Sequence, residues 1–193
     1  PGRRRPPVVA PGRLAQSYAR SSSAHPVDCG TVYVGSEPAS LYNSSDGGES
    51  WQECTGFTAV PESDQWGFHI ETRKSHVIDL RVATHDASYL YAAIEEGGMV
   101  RSRDGGATWK QLPGIHYDVH CIALSGARPK SLYVATSRAP YRTDDEGDNW
   151  EVISDGVDDD LPSTSPWPHT TPTWVCRHIP VTHAGTTPRS THQ

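Results

Sequence analysis

Apolar residues in the middle of the chain come in short runs, each cut off by Gly, Asp, Asn or Ser before it could complete a helix. Runs of that length, rich in Val, Ile, Leu and Tyr, predict β-strands. Residues 77–82, 89–94, 99–101 and 108–112 make one set of four, and 119–124, 132–136, 141–142 and 149–153 make a second with the same internal spacing. Tyr91 and Tyr133 stand 42 residues apart, a period suited to a unit of four short strands. An earlier set is less complete: 31–35, 39–43 and 50–55 read as strands, but spacing puts its first strand near Tyr18–Ser23. There Ser21-Ser22-Ser23 offers nothing to bury, so this unit is expected to lack a strand. Tyr33 and Tyr91 are 58 residues apart, 16 more than the later period, and the excess falls within Gly56–Ser75. Long connections in compact domains are commonly functional, which makes this insertion a candidate binding loop.

The same octad sits between the third and fourth strand of every unit. Its skeleton is a hydroxyl residue, Asp two places on, Gly two further and Trp three beyond. The three copies are Ser44, Asp46, Gly48 and Trp51; Ser102, Asp104, Gly106 and Trp109; and Thr143, Asp145, Gly147 and Trp150. Short Asp and hydroxyl side chains accept bonds from backbone N–H groups of their own turn. Gly takes up a positive φ, and Trp lays a large apolar face between neighbouring sheets. Repetition in every unit argues that these aspartates hold turns, since catalysis or calcium binding is needed once. The third copy carries Glu146 where the others have Gly47 and Gly105.

These octads resemble the Asp-box, or bacterial neuraminidase repeat, of sialidases, xyloglucanases, sortilin-type receptors and a chloroplast photosystem assembly factor. The likeness covers about residues 27–154. It implies an all-β fold, an incomplete β-propeller of about three four-stranded blades, with each box a turn between the third and fourth strand. Propellers have about 4–8 blades, so the resemblance also implies partners for the two end blades, either the remaining blades of a larger propeller or self-association. Relatives of this kind include both enzymes and receptors, and the fold alone decides nothing about activity.

The net charge of −6 gives no basic field for nucleic acid. No apolar run approaches a membrane span of about 20 residues, and no secretory signal is visible. Four Cys, at 29, 54, 121 and 176, are too scattered for a metal or redox pair and read as isolated thiols; the compartment stays open. No spacing among the ten His suggests a metal site, and no cofactor motif is present. Residues 1–26 contain Arg and Pro but neither Asp nor Glu, and 155–193 are rich in Pro and Thr; both are expected to be disordered.

The family geometry places the boxes on one face and the binding surface on the other. By that resemblance the ligand-binding candidates are Trp66, His69, Glu71 and Arg73 of the insertion, with His76, Glu95, Tyr117, Asp118 and Arg138; Glu37 and Glu96 share the same face. Arg101 and Arg103, beside a box, are expected to point outward. The ligand is read as carbohydrate or protein, and catalytic residues are not assignable. Glycosidic acid/base work would need facing carboxylates. A sialidase would need three clustered arginines, which the chain does not supply. Two readings stand: a ligand- or protein-binding portion of a larger propeller, or a truncated sialidase- or xyloglucanase-like hydrolase.

Overall fold

The computed structural model describes residues 17–67 and 74–155. Twelve strands form three antiparallel sheets of four, each in plain chain order. The first contains β1 (Tyr18–Ala24), β2 (Val32–Glu37), β3 (Leu41–Ser44) and β4 (Gln52–Glu53). The second contains β5 (Val77–Val82), β6 (Leu90–Ile94), β7 (Gly98–Ser102) and β8 (Lys110–Gln111). The third contains β9 (Val119–Leu124), β10 (Leu132–Thr136), β11 (Pro140–Thr143) and β12 (Glu151–Val152). No sheet closes on itself; β1, β5 and β9 stand side by side as the inner strands of three successive blades.

The strand β1 corrects two expectations, that the first blade is incomplete and that residues up to 26 lack structure. Its serines bond where they were expected to be idle. The Ser21 hydroxyl donates to Val77 O at 2.7 Å, and Ser23 Oγ accepts from Val82 N at 3.2 Å. Inner strands approach too closely there for bulk: a Cβ on Gly35, the cross-strand partner of Ser21, would lie 2.5 Å from the Val77 side chain. A run of small hydroxyl residues is therefore a seam between blades. The remainder of the basic arm, up to residue 16, and the tail 156–193 lie outside the described residues.

Each blade presents one cross-strand row to the next. In the first the row is Ser23, Tyr33 and Asn43; in the second, Arg81, Tyr91 and Arg101; in the third, Ala123, Tyr133 and Arg142. The Tyr33 hydroxyl donates to Gly105 O in the second octad at 3.2 Å. At the next joint Arg81 Nε donates to Ile122 O at 3.0 Å, while Asp79 accepts from Ile122 N at 2.8 Å. Arg101 lies buried, giving one N–H to Glu146 O at 2.7 Å and another to Asp148 at 2.9 Å. Arg103 joins it, reaching Glu146 at 3.2 Å and Asp148 at 3.1 Å. Both arginines therefore clasp the third octad, whereas an outward position was expected from the sequence.

Apolar burial follows the same joints. Leu80, Leu90, Ala92, Ile94, Val100 and Trp109 pack with Tyr33 and Leu41 of the first blade. The opposite face of the second blade packs Tyr91, Ala93 and Met99 against Val119, Ile122, Leu132, Val134 and Trp150. Every residue of β6 and β7 is buried, as expected of strands covered on both faces. Each octad Trp also lies beside the skeleton glycine of its own octad, with Cζ2 at 3.5, 3.8 and 3.2 Å from the Cβ position of Gly48, Gly106 and Gly147. Trp109 and Trp150 thus sit at equivalent places, each packed into the core it shares with the preceding blade.

Candidate functional site

The octad aspartates, expected from their repetition to hold turns, spend every described bond on their own turns. Asp104 accepts from Thr108 N at 2.8 Å and Thr108 Oγ1 at 2.7 Å, and the Ser102 hydroxyl donates to it at 2.8 Å. Ser102 Oγ in turn receives the N–H groups of Asp104 and Gly106. Ser44 with Asp46 and Thr143 with Asp145 repeat the pattern, and Asn149 stands in for the hydroxyl residue with an amide donor at 2.7 Å. These donors push the Asp46 and Asp145 carboxyls down to about 2, Ser50 acting most on the former and Asn149 on the latter. Gly47, Gly105 and Glu146 share a positive φ of 76°, 69° and 65°, so the third turn keeps its geometry at some cost in backbone strain. Glu146 is held by Arg103 and, at 3.7 Å, by Lys130.

In a four-stranded antiparallel blade the first and third turns lie at one end, the middle turn and the inner-strand entrance at the other. Backbone bonds tie the octads to the first-turn end: Gly47 N to Gly30 O, Gly105 N to Ser88 O, Glu146 N to Lys130 O. At the far end Glu95 N donates to His76 O at 3.0 Å and Ser137 N to Asp118 O at 3.1 Å, which makes His76 and Asp118 equivalent. This far end carries one acid–base pair per blade. Arg20 binds Glu37 on the first, His76 Nδ1 lies 3.0 Å from Glu95 Oε2 on the second, and His120 Nε2 lies 3.1 Å from Asp118 Oδ1 on the third.

The pairs influence one another across the blades. Burial keeps the His76 imidazole below its ordinary range against the pull of Glu95, with Arg20 and Glu37 also acting on it. The Asp118 bond pushes His120 up, helped by Glu95 and Glu96 of the second blade. Asp118 is itself held below the usual carboxylate range, chiefly by His120. Glu95 differs from the rest. Its Oε2 is close to His76 but the orientation completes no hydrogen bond, and among the described residues this buried oxygen has no donor. Tyr117 is exposed beside the row, its ring stacked on His116 at 4.5 Å, and Arg138 is exposed on the β10–β11 turn.

The sequence-based candidates separate accordingly. His76, Glu95, Asp118, Tyr117 and Arg138 come to the same end of the blades. Asp118 is engaged by His120, with no described bond to Tyr117. Trp66 is half-buried in a folded linker: helix α1 (Thr55–Thr58) seats Phe57 between Trp66 at 5.1 Å and Trp109 at 5.4 Å, and Trp66 Nε1 donates to Gln111 at 3.2 Å. The first part of the insertion is thus a plug between two blades. His69, Glu71 and Arg73 lie outside the described residues. Sequence reasoning missed Arg20, assigned to a disordered arm, and did not place His120 among the candidates; the matched spacing of His76 and Asp118 before their tyrosines was the available signal.

Similarity to solved structures agrees with this architecture. The GH74 xyloglucanase from Xanthomonas campestris superposes with a TM-score of 0.56 at 15% identity, over 80% of this chain and 23% of that one. YCF48 bound to D1 peptide gives 0.51 at 20% identity, over 70% and 40%. The fold is that of a β-propeller. An ancestral GH74 enzyme gives 0.53 at 15% identity, over 70% and 18%. This chain therefore spans between about a fifth and two fifths of those structures. No family model and no curated protein sequence matches it. Among the described residues no helix is long and apolar enough to cross a membrane. Cys29 and Cys54 are free thiols, whereas Cys121 is disulfide-bonded, which corrects its reading as an isolated thiol.

Proposed function

We propose that the octads are Asp-boxes and that this chain supplies part of a propeller binding a polypeptide ligand across the end away from them. The observation that carries the reading is Glu95 Oε2 at the centre of the row, a buried acceptor that pairs with His76 but receives no hydrogen bond from any of the described residues. Such a group is costly unless something supplies the missing hydrogen bond. A peptide N–H or a lysine ammonium would complete it, with Tyr117 and His116 offering an aromatic surface alongside. One propeller neighbour, YCF48, is bound to a peptide, which lends the reading support.

The hydrolase reading is weaker because of how the acids are held. A general acid for glycoside cleavage needs a raised pKa, and Asp118 is lowered. Asp79 is the carboxyl that burial raises, and it is occupied at a blade joint by Ile122 N and Arg81. The test compares the wild-type chain with Glu95→Gln and Asp118→Asn on an immobilised peptide library and on xyloglucan oligosaccharides. Peptide capture that Glu95→Gln weakens supports the proposal. Release of reducing ends from xyloglucan, lost in either variant, would overturn it.

A further inference from the structure

Of the three middle turns at the far end, the one that carries Glu95 is held differently from its counterparts. Hydroxyls within the first and third turns serve their own backbone: Ser36 Oγ donates to Pro38 O at 2.8 Å and Thr136 Oγ1 to Ala139 O at 2.8 Å. The β6–β7 turn has no hydroxyl residue, since it consists of Glu95, Glu96 and Gly97 between the paired Ile94 and Gly98. Glu96 stands there at a φ of 55°, a left-handed conformation that persists in a residue with a Cβ only where the surroundings hold it.

The hold comes from the linker and from β8. Trp66 Nε1 donates to Gln111 Oε1 at 3.2 Å, and Gln111 Nε2 donates onward to Gly97 O at 2.8 Å. Gly67 N donates to Glu96 O at 3.1 Å, while Gly98 N is tied to Tyr117 O at 2.6 Å. Packing is equally close: a Cβ on Gly97 would lie 3.0 Å from Trp66 Cγ, and one on Gly98 would lie 2.6 Å from Gln111 Nε2. Trp66 is placed in its turn by the other end of the linker. Helix α1 rests its backbone on the second octad, where Gly56 leaves no room for a Cβ against Ala107 O, and Phe57 packs on both Trp109 and Trp66. The linker is thus a strap that runs from the second octad to the turn bearing Glu95.

We infer that this linker is the positioning element of the ligand face: Trp66, acting through Gln111 and Gly97 O, fixes the β6–β7 turn and with it the direction of Glu95 Oε2. Glu95 lies two residues from Gly97, its N–H is bonded to His76 O at 3.0 Å, and its side chain is 13% exposed. A small swing of the turn would either bring the carboxylate out to water or seat it squarely on His76. Either movement removes the unsatisfied acceptor that a peptide N–H or an ammonium would meet. Trp66 and Gln111 are therefore positioning residues, and neither has to touch the ligand. The consequence for binding rests on the peptide reading above, whereas the hold on the turn rests on the contacts themselves.

Amide hydrogen exchange of the ligand-free full chain tests the hold directly. Wild type is compared with Trp66→Phe, which keeps a ring against Phe57 but removes the donor, and with Gln111→Leu, which removes the relay; circular dichroism checks that each is folded. The amides of Glu95, Gly97 and Gly98 should exchange about fivefold faster in both variants, as the loss of one net hydrogen bond gives, while those of Gly106 and Ala139, bonded within their own turns, should change less than about twofold. On the immobilised peptide library both variants should lower capture, and neither should lower it further in a Glu95→Gln background, since both act through that residue. Exchange at the turn that matches wild type in both variants overturns the inference, as does acceleration spread evenly over the three blades, which a merely structural role would give. Capture that persists in both variants but falls in Glu95→Gln also overturns it. Capture that Glu95→Gln leaves unchanged counts against the peptide reading alone, and exchange at the turn still decides whether the linker holds Glu95 in place.

Discussion

The clasp between the second and third blades is asymmetric, and its asymmetry can be measured. Arg101 has a side chain 3% exposed, while Asp148, its acidic partner, is 46% exposed. Removing the cation with Arg101→Met leaves Asp148 half-exposed and still bonded to Arg103, at little cost, leaves Glu146 O without its Arg101 donor, and keeps much of the stem's packing. An unsatisfied buried carbonyl costs about 1–3 kcal/mol, and Met recovers part of that by ending the burial of a charge, so a net loss of about 1–2 kcal/mol follows. Removing the acid with Asp148→Ala is different, because the guanidinium stays buried with a single carbonyl acceptor. Stranding a buried charge typically costs about 3–5 kcal/mol; the retained bond to Glu146 O and the exposure of Asp148 bring the expected figure to about 2–3 kcal/mol. The exposed partner is thus the costlier one to delete, and the double variant should be close to Arg101→Met alone. Urea unfolding followed by fluorescence, with Trp109 and Trp150 at the two joints, supplies the free energies, provided the m-value is unchanged. An Arg101→Met loss exceeding that of Asp148→Ala, or two losses that simply add, would refute the reasoning.

The plug and the octads give further tests. Phe57→Ala should cost about 3–5 kcal/mol, since the fully buried ring packs on both Trp66 and Trp109; a loss under about 1 kcal/mol in calorimetry would show the linker to be spectator. Asp104→Ala should cost about 1–3 kcal/mol, toward the low end because solvent reaches the turn, and should leave peptide capture unchanged where the fold persists. Asp46 and Asp145 have carboxyls lowered from 3.8 to about 2, so their contribution is complete above pH 3.8 and is lost as pH falls toward 2; acid titration by circular dichroism should place unfolding in that window. His76, lowered by burial, opposes folding as pH drops below 6.5, whereas His120, raised by Asp118, contributes fully below 6.5 and less as pH climbs through its raised value. His76→Gln and His120→Gln should therefore change the pH dependence of the melting temperature in opposite senses.

The parts of this fold that were legible in the sequence are those repeated at fixed spacing. Val77–Val82, Val119–Leu124 and Leu132–Thr136 are strands with the predicted bounds, because apolar runs between turn residues have one way to be buried. What escaped were contacts between blades, where residue type misleads. Ser21 and Ser23 look unable to contribute to a core yet bond directly to the next inner strand. Arg101 looks like a surface cation yet is the most deeply buried charge in the clasp. Trp66 looks like an open plate for a sugar, but Phe57, the second residue of the same excess segment, claims one side of it. The ligand face was half legible: the common spacing of His76 and Asp118 from Tyr91 and Tyr133 marks equivalent entrances, while the roles of Arg20 and His120 emerge only once three sheets stand side by side.

Turn and joint divide the work of this architecture differently, and the division bears on how blades recognise their neighbours. The octad satisfies itself from within a single blade, so its hydroxyl, Asp and Gly recur almost unchanged. The row a blade shows its neighbour varies instead: Ser, Tyr and Asn; then Arg, Tyr and Arg; then Ala, Tyr and Arg. The shared tyrosine gives every joint the same apolar centre, which by itself would let any blade stack on any other. Discrimination must come from the flanking positions, where a buried arginine is tolerable only against an octad that brings an acid and a free carbonyl. Arg101 against the Gly105–Ala107 stretch of the second octad would be a buried cation without a carboxylate, a mismatch of several kcal/mol by the reasoning applied to Asp148. At the joint between the second and third blades, pairing is therefore enforced less by what attracts than by the charge that an octad without an acid would leave buried alone.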